Sequence, residues 1–268
     1  MDSNDKTIYN DEIDVLLPVY KSNKIFLKES IKSLLNQNIK VRIFCILNGM
    51  NKIENNRYIN FLKEFNCHIL ISPNKGIAAS LNYAIPYTRS NYIARQDDDD
   101  ISHPDRFLIQ KNYLDNHNCD VVGTNIKILD INGNIVGKKQ FPNTDIACKR
   151  QLIYKTCFCH PSTMMRREFL LKNQYPDLPS EDYALWIKAL KNSIYNNLKK
   201  ELYFYRRSDG QYSNQKFVTY LYFQSSIKLM NRVSNNFWEK IINVSLLFIY
   251  FIFYVIKRRR IDFKTRLI

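Results

Sequence analysis

The first hundred residues alternate short apolar runs with longer segments of helical spacing. Ile13 to Tyr20 reads I-D-V-L-L-P-V-Y, apolar and β-branched, the pattern of a strand covered on both faces. Ile25 to Asn36 repeats apolar residues at helical spacing: Ile25, Phe26, Ile31, Leu34 and Leu35. Val41 to Leu47 predicts a second strand that stops at the turn signal Asn48-Gly49. An amphipathic helix over Ile53 to Phe65, a third strand over His68 to Ser72, a short helix over Ala78 to Ile85 and a fourth strand over Tyr92 to Arg95 follow. This alternation implies βαβ units and a twisted, mostly parallel sheet, an α/β fold of the Rossmann type. Such sheets bind ligands beyond the carboxyl ends of their strands. Pro18-Val19-Tyr20, Asn48-Gly49, Pro73 to Gly76 and the aspartate run Asp97 to Asp100 all fall there and border one crevice.

The second half is less regular. Arg106 to Asn116 reads as a helix, and Val121 to Leu129 and Ile135 to Lys139 flank Asn132-Gly133, a hairpin signal. A helix over Tyr183 to Lys191 follows Glu181-Asp182, then a strand over Leu202 to Arg206 and a helix over Phe217 to Arg232. Ile241 to Ile256 is strongly apolar and runs into Lys257-Arg258-Arg259-Arg260. It is shorter than the ~20 residues of a spanning helix. A basic cluster against an apolar run favours a membrane-interface or re-entrant segment over 241–260, and a helix packed on protein is the alternative. The expected organisation is a polar segment (1–12), a main domain (13–213, with a regular α/β half 13–107 and a mixed half 108–213) and C-terminal helices (214–268).

Composition adds an excess of cations. Lys and Arg number 40 against 25 Asp and Glu, a net charge of +15, which implies attraction to nucleic acid, anionic lipid or phosphorylated small molecules. Six cysteines at irregular spacing in a chain of 268 residues argue against a disulfide scaffold. Cys157-Phe158-Cys159-His160 lacks the second ligand pair of a structural zinc site. Met1 to Glu12 is polar, with no secretory pattern, so a cytosolic machine is expected.

Four consecutive aspartates after a buried strand are costly without a compensating cation. Mg²⁺ bound through one or two carboxylates and substrate phosphates would supply it. Capping of the following helix by Asp100 or Ser102 is the plainer role. Glu181-Asp182 at a helix start is either a dipole partner or, through a carboxylate, a proton acceptor. Lys75, Arg95, Arg166, Arg167, Arg206 and Arg207 are candidate partners for a diphosphate, and His160 is open between a metal ligand and a core residue.

In order, D-V-L-L-P-V-Y (Asp14 to Tyr20), N-K-G-I-A-A-S-L-N (Asn74 to Asn82), Y-I-A-R-Q-D-D-D-D-I-S-H-P-D-R-F (Tyr92 to Phe107), H-P-S-T-M-M-R-R (His160 to Arg167), S-E-D-Y-A-L-W (Ser180 to Trp186) and Y-R-R-S-D-G-Q-Y-S (Tyr205 to Ser213) resemble family 2 of the inverting glycosyltransferases, which have the GT-A fold. The resemblance implies a nucleotide-sugar donor, with UDP the favoured nucleotide and a hexose or N-acetylhexosamine the sugar. Lipopolysaccharide, capsule or other surface glycans on lipid carriers are the implied acceptors, at the cytoplasmic face of the inner membrane by peripheral association.

Residue by residue, the resemblance makes Asp97-Asp98-Asp99 the D-x-D element. Asp97 and Asp98 then face the nucleotide-sugar and Asp99 binds Mn²⁺ or Mg²⁺. Pro18, Tyr20, Lys75 and Arg95 surround the nucleotide, Asp182 is the general base, and Glu181, Trp186 and His160 belong with the acceptor pocket. Two positions depart from the family pattern: Asn48 stands where relatives carry an acid that contacts the base, and Ser208 where many carry histidine, with Asp209 a possible substitute ligand. A nucleotidyltransferase would carry a glycine-rich loop after the first strand, and Pro18 to Ser22 has none. No nucleic-acid module is recognisable, and the aspartates oppose a phosphate backbone. A catalytically inactive binding homologue is the remaining alternative.

Overall fold

The run from Ile13 to Leu17 is buried at every position, apolar except for Asp14, whose charge is paired with Arg42. In the computed structural model, which describes residues 11–152, 155–178, 180–207 and 245, it forms β1 (Glu12–Val19). Helix α1 (Lys24–Leu35) starts where the Asn23 side chain accepts from the Ile25 amide. β2 (Lys40–Leu47) leads to α2 (Lys52–Leu62), opened by a capping box between Asn51 and Glu54. β3 (His68–Ile71), α3 (Ile77–Ala84) and β4 (Tyr92–Arg95) complete the first half. The chain continues through β5 (Ile101–Ser102), α4 (Arg106–Asn116), β6 (Val121–Leu129), β7 (Ile135–Lys139), α5 (Asp145–Gln151), β8 (Met164–Arg166), α6 (Arg167–Lys172), α7 (Glu181–Ala189) and β9 (Tyr195–Arg206).

One sheet carries the architecture, in the order β3-β2-β1-β4-β8-β6-β9-β5, with β7 on β6. β3, β2, β1 and β4 are parallel, as the alternation predicts. Beyond β4 the sheet is mixed: β8 is antiparallel to both β4 and β6, whereas β6 and β9 run parallel. Side chains alternate between its faces. Leu16, Phe44, Ile46 and Ile93 pack with α3, α6 and α7. Val15, Leu17, Ile43, Cys45 and Ala94 pack with α1, α2 and α4. The result is three layers, helix on sheet on helix.

Several expectations shift. β9 begins at Tyr195, not Leu202, because Y-N-N-L-K-K-E hides a strand whose partner β6 is irregular around Asn125. α7 begins at Glu181 and ends at Ala189 rather than spanning Tyr183 to Lys191. Neither Asp100 nor Ser102 caps α4, whose N-cap is Asp105 with no side-chain bond. The predicted hairpin forms, with Asp130 accepting from the Asn132 and Asn134 amides and Gly133 at φ 85°. Helix 217–232, segment 241–256, Ser208, Asp209 and the boundary at 213 lie outside the described residues. Among the described residues no helix is long and apolar enough to cross a membrane.

Asp14 staples the parallel core. Fully buried, it takes the Arg42 guanidinium on both oxygens (2.7 and 2.9 Å) and the amides of Arg89 (2.5 Å) and Ser90 (2.8 Å). Asp14→Ala strands these donors, and a loss of about 3–5 kcal/mol is expected. Equilibrium urea unfolding measures it, and a loss under about 1 kcal/mol would reduce the pair to the level of a surface ion pair.

Candidate functional site

The loops after β1, β2 and β3 meet at one point. Gly49, at φ 68°, has room for the Tyr20 ring: a Cβ there would lie 3.4 Å from Tyr20 Cε2 and 3.8 Å from Lys75 Cγ. Tyr20 is 57% exposed and Lys75 is exposed, so both present their surfaces to solvent at the mouth. Asn48 behind them is only 9% exposed, and its Oδ1 has no hydrogen-bond partner. Pro18 lies opposite Ile46 of β2. Pairing of β1 with β4 ends at Leu16, so the proline's missing donor breaks no ladder there.

The four aspartates point to four different partners. Asp97 pairs with Arg95 Nη2 at 2.7 Å and keeps 33% of its side chain exposed. Asp98 accepts from the Ser22 hydroxyl. Burial pushes its carboxyl up to about 6, against the pull of that bond. Asp99 is partly exposed and its carbonyl accepts from Arg206 Nε at 2.9 Å. Asp100 is fully buried and accepts from the Tyr203 hydroxyl (2.7 Å) and the Arg206 amide (2.6 Å). Burial, then the charges of Asp99 and Asp97, raise it well above the carboxylate range.

Buried arginines hold this loop. Arg106 donates to Gln110 Oε1 (3.0 Å), Gln96 Oε1 (3.0 Å), Ser102 Oγ (2.8 Å) and the carbonyls of Arg95 (2.9 Å), Pro161 (3.0 Å) and Thr163 (3.2 Å). Burial lowers it to about 10, which leaves it charged at neutral pH. Arg206 grips Asp99 and Asp100, reaches Glu29 on α1 at 2.5 Å and lies over the Phe26 ring.

Across Arg95 stands the start of α7. Glu181 is 14% exposed and 3.8 Å from His160 Nδ1, while His160 Nε2 lies 3.0 Å from the Tyr175 hydroxyl. Burial, then the Asp182 charge, raises Glu181 to about 8. Burial also raises Asp182, against the backbone amides at the helix start. The Asp97 and Arg95 charges act on both carboxyls, so aspartate loop and helix start share one electrostatic neighbourhood. His160 is held well below its usual pKa by burial and by Arg95, hence neutral.

Placement separates the sequence candidates. Tyr20, Asn48 and Lys75 cluster at the ends of β1 to β3, and Asp97 and Asp99 are part-exposed after β4. Asp98 is turned back onto the β1–α1 loop. Arg95 is 1% exposed and acts through Asp97. Trp186 is wholly buried against Phe158, with ring centroids 5.0 Å apart, and backs His160 rather than lining an open surface. Arg166 and Arg167 are spent on backbone carbonyls, those of Cys119 and Leu114 and that of Thr88. Ser22, Gln96, Arg106 and Tyr203 escaped the sequence reading. Arg106 alone carried a signal, as the arginine of the H-P-D-R-F run.

Among the described residues no three His, Cys, Asp or Glu side chains form a ready-made metal cage, and His160 joins none. Asp97 and Asp99 offer hard oxygen donors at the mouth. That set fits a Mg²⁺- or Mn²⁺-type ion completed by substrate phosphate and water, and does not fit a structural zinc site.

Comparisons with known proteins identify the family and the fold. The model of glycosyl transferase family 2 matches residues 14–174. The O-antigen biosynthesis glycosyltransferase WbnJ of Escherichia coli is 30% identical over 204 residues, 73% of this chain and 80% of its own. S. aureus TarS (1–349), solved with UDP-GlcNAc, shares the fold at a TM-score of 0.67 and 17% identity, over 88% of this chain and 71% of that one. The mannosyltransferase PcManGT of Pyrobaculum calidifontis, solved with GDP-Man and Mn²⁺, does so at a TM-score of 0.64 and 12% identity, over 90% and 70%. The fold is thus GT-A-like, and the chain is a glycosyltransferase that belongs to glycosyl transferase family 2.

Proposed function

We propose that this enzyme transfers a hexose or N-acetylhexosamine from a UDP-sugar to a lipid-linked or surface-glycan acceptor, with inversion, at the cytoplasmic face of a membrane. The observation that carries the reading is the pairing of two acidic elements across buried Arg95: the aspartate loop, and the buried carboxyls of Glu181 and Asp182. One is suited to a metal-bound diphosphate and the other to an acceptor hydroxyl. The name of the E. coli relative supports a surface-polysaccharide acceptor, and the basic chain with its apolar segment 241–256 supports a membrane-borne, anionic one.

Asn48 supports uracil. Its bare Oδ1 behind Tyr20 is an acceptor that a uracil N–H can satisfy. With the base against Tyr20, the diphosphate runs past Lys75 toward Asp97 and Asp99. Asp99, with Asp97 beside it, would hold Mn²⁺ or Mg²⁺, whose Lewis acidity stabilises the departing nucleoside diphosphate. Asp182 takes the proton of the acceptor hydroxyl. That oxygen bonds to the anomeric carbon on the face opposite the diphosphate as the sugar–phosphate C–O bond breaks, which inverts the centre. Arg95 holds Asp97 in place at 2.7 Å, and Arg106 and Arg206 fix the loop behind it.

A thermal-shift panel of nucleotide-sugars, with and without Mn²⁺, tests the donor. A ligand at 100 times its Kd adds about 2.7 kcal/mol to apparent stability. A Mn²⁺-dependent shift with a UDP-sugar is expected, lost in Asp99→Asn. A shift with GDP-sugars alone would replace uracil by guanine, and an undiminished Mn²⁺ effect in Asp99→Asn would remove Asp99 from the metal.

Asp182→Asn should bind donor normally and transfer sugar about 10²–10⁴-fold more slowly. Near-normal single-turnover transfer by that variant would rule out the base assignment.

The transfer rate should also depend on pH through Asp182. The ionised form is the active one and burial raises its pKa, so activity is full above that raised value and falls as pH drops through it. The acid limb of a pH–rate profile is expected above the ordinary aspartate value of about 3.9. A limb at or below that value would contradict a buried carboxylate base.

A further inference from the structure

The β6–β7 hairpin forms an edge of the sheet, with its tip next to Arg206. Ile131, Ile135 and Val136 at and beside its tip are 57%, 58% and 61% exposed, a concentration of branched aliphatic surface on one edge element. β7 pairs with β6 alone, so its outer edge is uncovered among the described residues. The same strand ends in exposed Lys138 and Lys139, and its register sets Lys138 directly opposite Lys127. Like charges facing each other across a ladder are unfavourable, and an anionic partner removes that penalty.

The position of the chain exit points the same way. The Arg207 amide donates to the Leu129 carbonyl at 2.8 Å, beside the hairpin turn, so the described chain up to Arg207 ends next to the hairpin tip. The sequence beyond carries the apolar run Ile241 to Ile256 and the basic cluster Lys257 to Arg260. Hairpin and cluster are both cationic, so by charge they repel each other. Each combines aliphatic and basic side chains, which fits one shared surface, anionic at the rim and apolar beneath. A nucleic-acid strand would satisfy the lysines but not the aliphatic side chains.

We propose that the β6–β7 hairpin is a membrane-docking element that inserts Ile135 and Val136 at the headgroup–acyl boundary of an anionic bilayer, with Lys138 and Lys139 on lipid phosphates. The inference rests on reading the enzyme as membrane-borne and names where the folded domain touches the lipid. It also bears on geometry, because Arg206, which grips the aspartate loop, also reaches the Ile131 carbonyl at 3.4 Å. A docked hairpin therefore sets the crevice at a defined height above the lipid.

The test is co-sedimentation of the full chain with phosphatidylcholine–phosphatidylglycerol vesicles, against phosphatidylcholine alone. I135S/V136S and K138E/K139E should each bind the mixed vesicles at least about tenfold more weakly than the unaltered protein, with UDP-sugar affinity unchanged. A second measurement does not depend on loss of binding: Val136→Trp should add fluorescence that shifts to the blue and is quenched by brominated lipid. Full vesicle binding by both double variants, or an introduced indole that bromine does not quench, overturns the hairpin while leaving the membrane reading in place. An unaltered protein that binds neither vesicle overturns both, and the donor titration shows separately whether the transferase reading survives.

Discussion

The site depends on a buried cation that has no carboxylate of its own. Arg106 is fully buried, and no carboxylate oxygen lies within 4.0 Å of it among the described residues. Removing such a charge from water costs several kcal/mol. The cost is offset by hydrogen bonds from Nε, Nη1 and Nη2 to neutral oxygens of β4, α4 and the turn before β8, and by the Phe107 and Tyr203 rings at 4.8 Å. Because those acceptors are neutral, Arg106 lends the loop a positive field without pairing with any of its carboxylates, while Asp97 is paired with Arg95.

The same economy runs through the aspartate run. Asp98 is committed to Ser22 and Asp100 to Tyr203 and the Arg206 amide, so alternate members of the run anchor the loop. Asp97, paired with Arg95, and part-exposed Asp99 lie between these fixed neighbours. On the proposed reading such support matters, since a loosely held ligand set loses most of its advantage. Tyr203 links the two halves, because its hydroxyl donates to Asp100 and accepts from the Asp97 amide at 3.2 Å. The last strand of the sheet thereby shapes the loop after the fourth.

Sequence periodicity revealed the parallel half because its strands are covered on both faces, which leaves unbroken apolar runs such as Val41 to Leu47. β5 and β8 have two and three residues, too few for any period to register. The first part of β9 is polar by composition, and buried Asn197 inside it reads as a loop residue. The site divides similarly. Residue type and order identify the acidic loop and the Glu181-Asp182 step, because both are dense in one chemistry. Side-chain direction is set by tertiary packing, and no local pattern encodes it. Asp98 turning to Ser22, Arg95 turning inward and Trp186 facing the core are all of this kind.

The Glu181-Asp182 pair shows why two adjacent acids serve better than one. Each carboxyl is desolvated, and the Asp182 charge raises Glu181 further, so ionising both at once is unfavourable. His160, held neutral beside Arg95, cannot relieve this by becoming a counter-ion. The backbone amides at the start of α7 favour the ionised form of Asp182. With Glu181 pushed up to about 8, the proton resides chiefly on the glutamate and the negative charge on the aspartate. On the proposed reading, Glu181 then donates to a sugar oxygen while Asp182 accepts a proton from the acceptor. A lone carboxylate in the same position would hold its charge with no neighbour to absorb the proton's alternative site. The division of roles follows from burial, adjacency and helix geometry together, and none of the three would produce it alone.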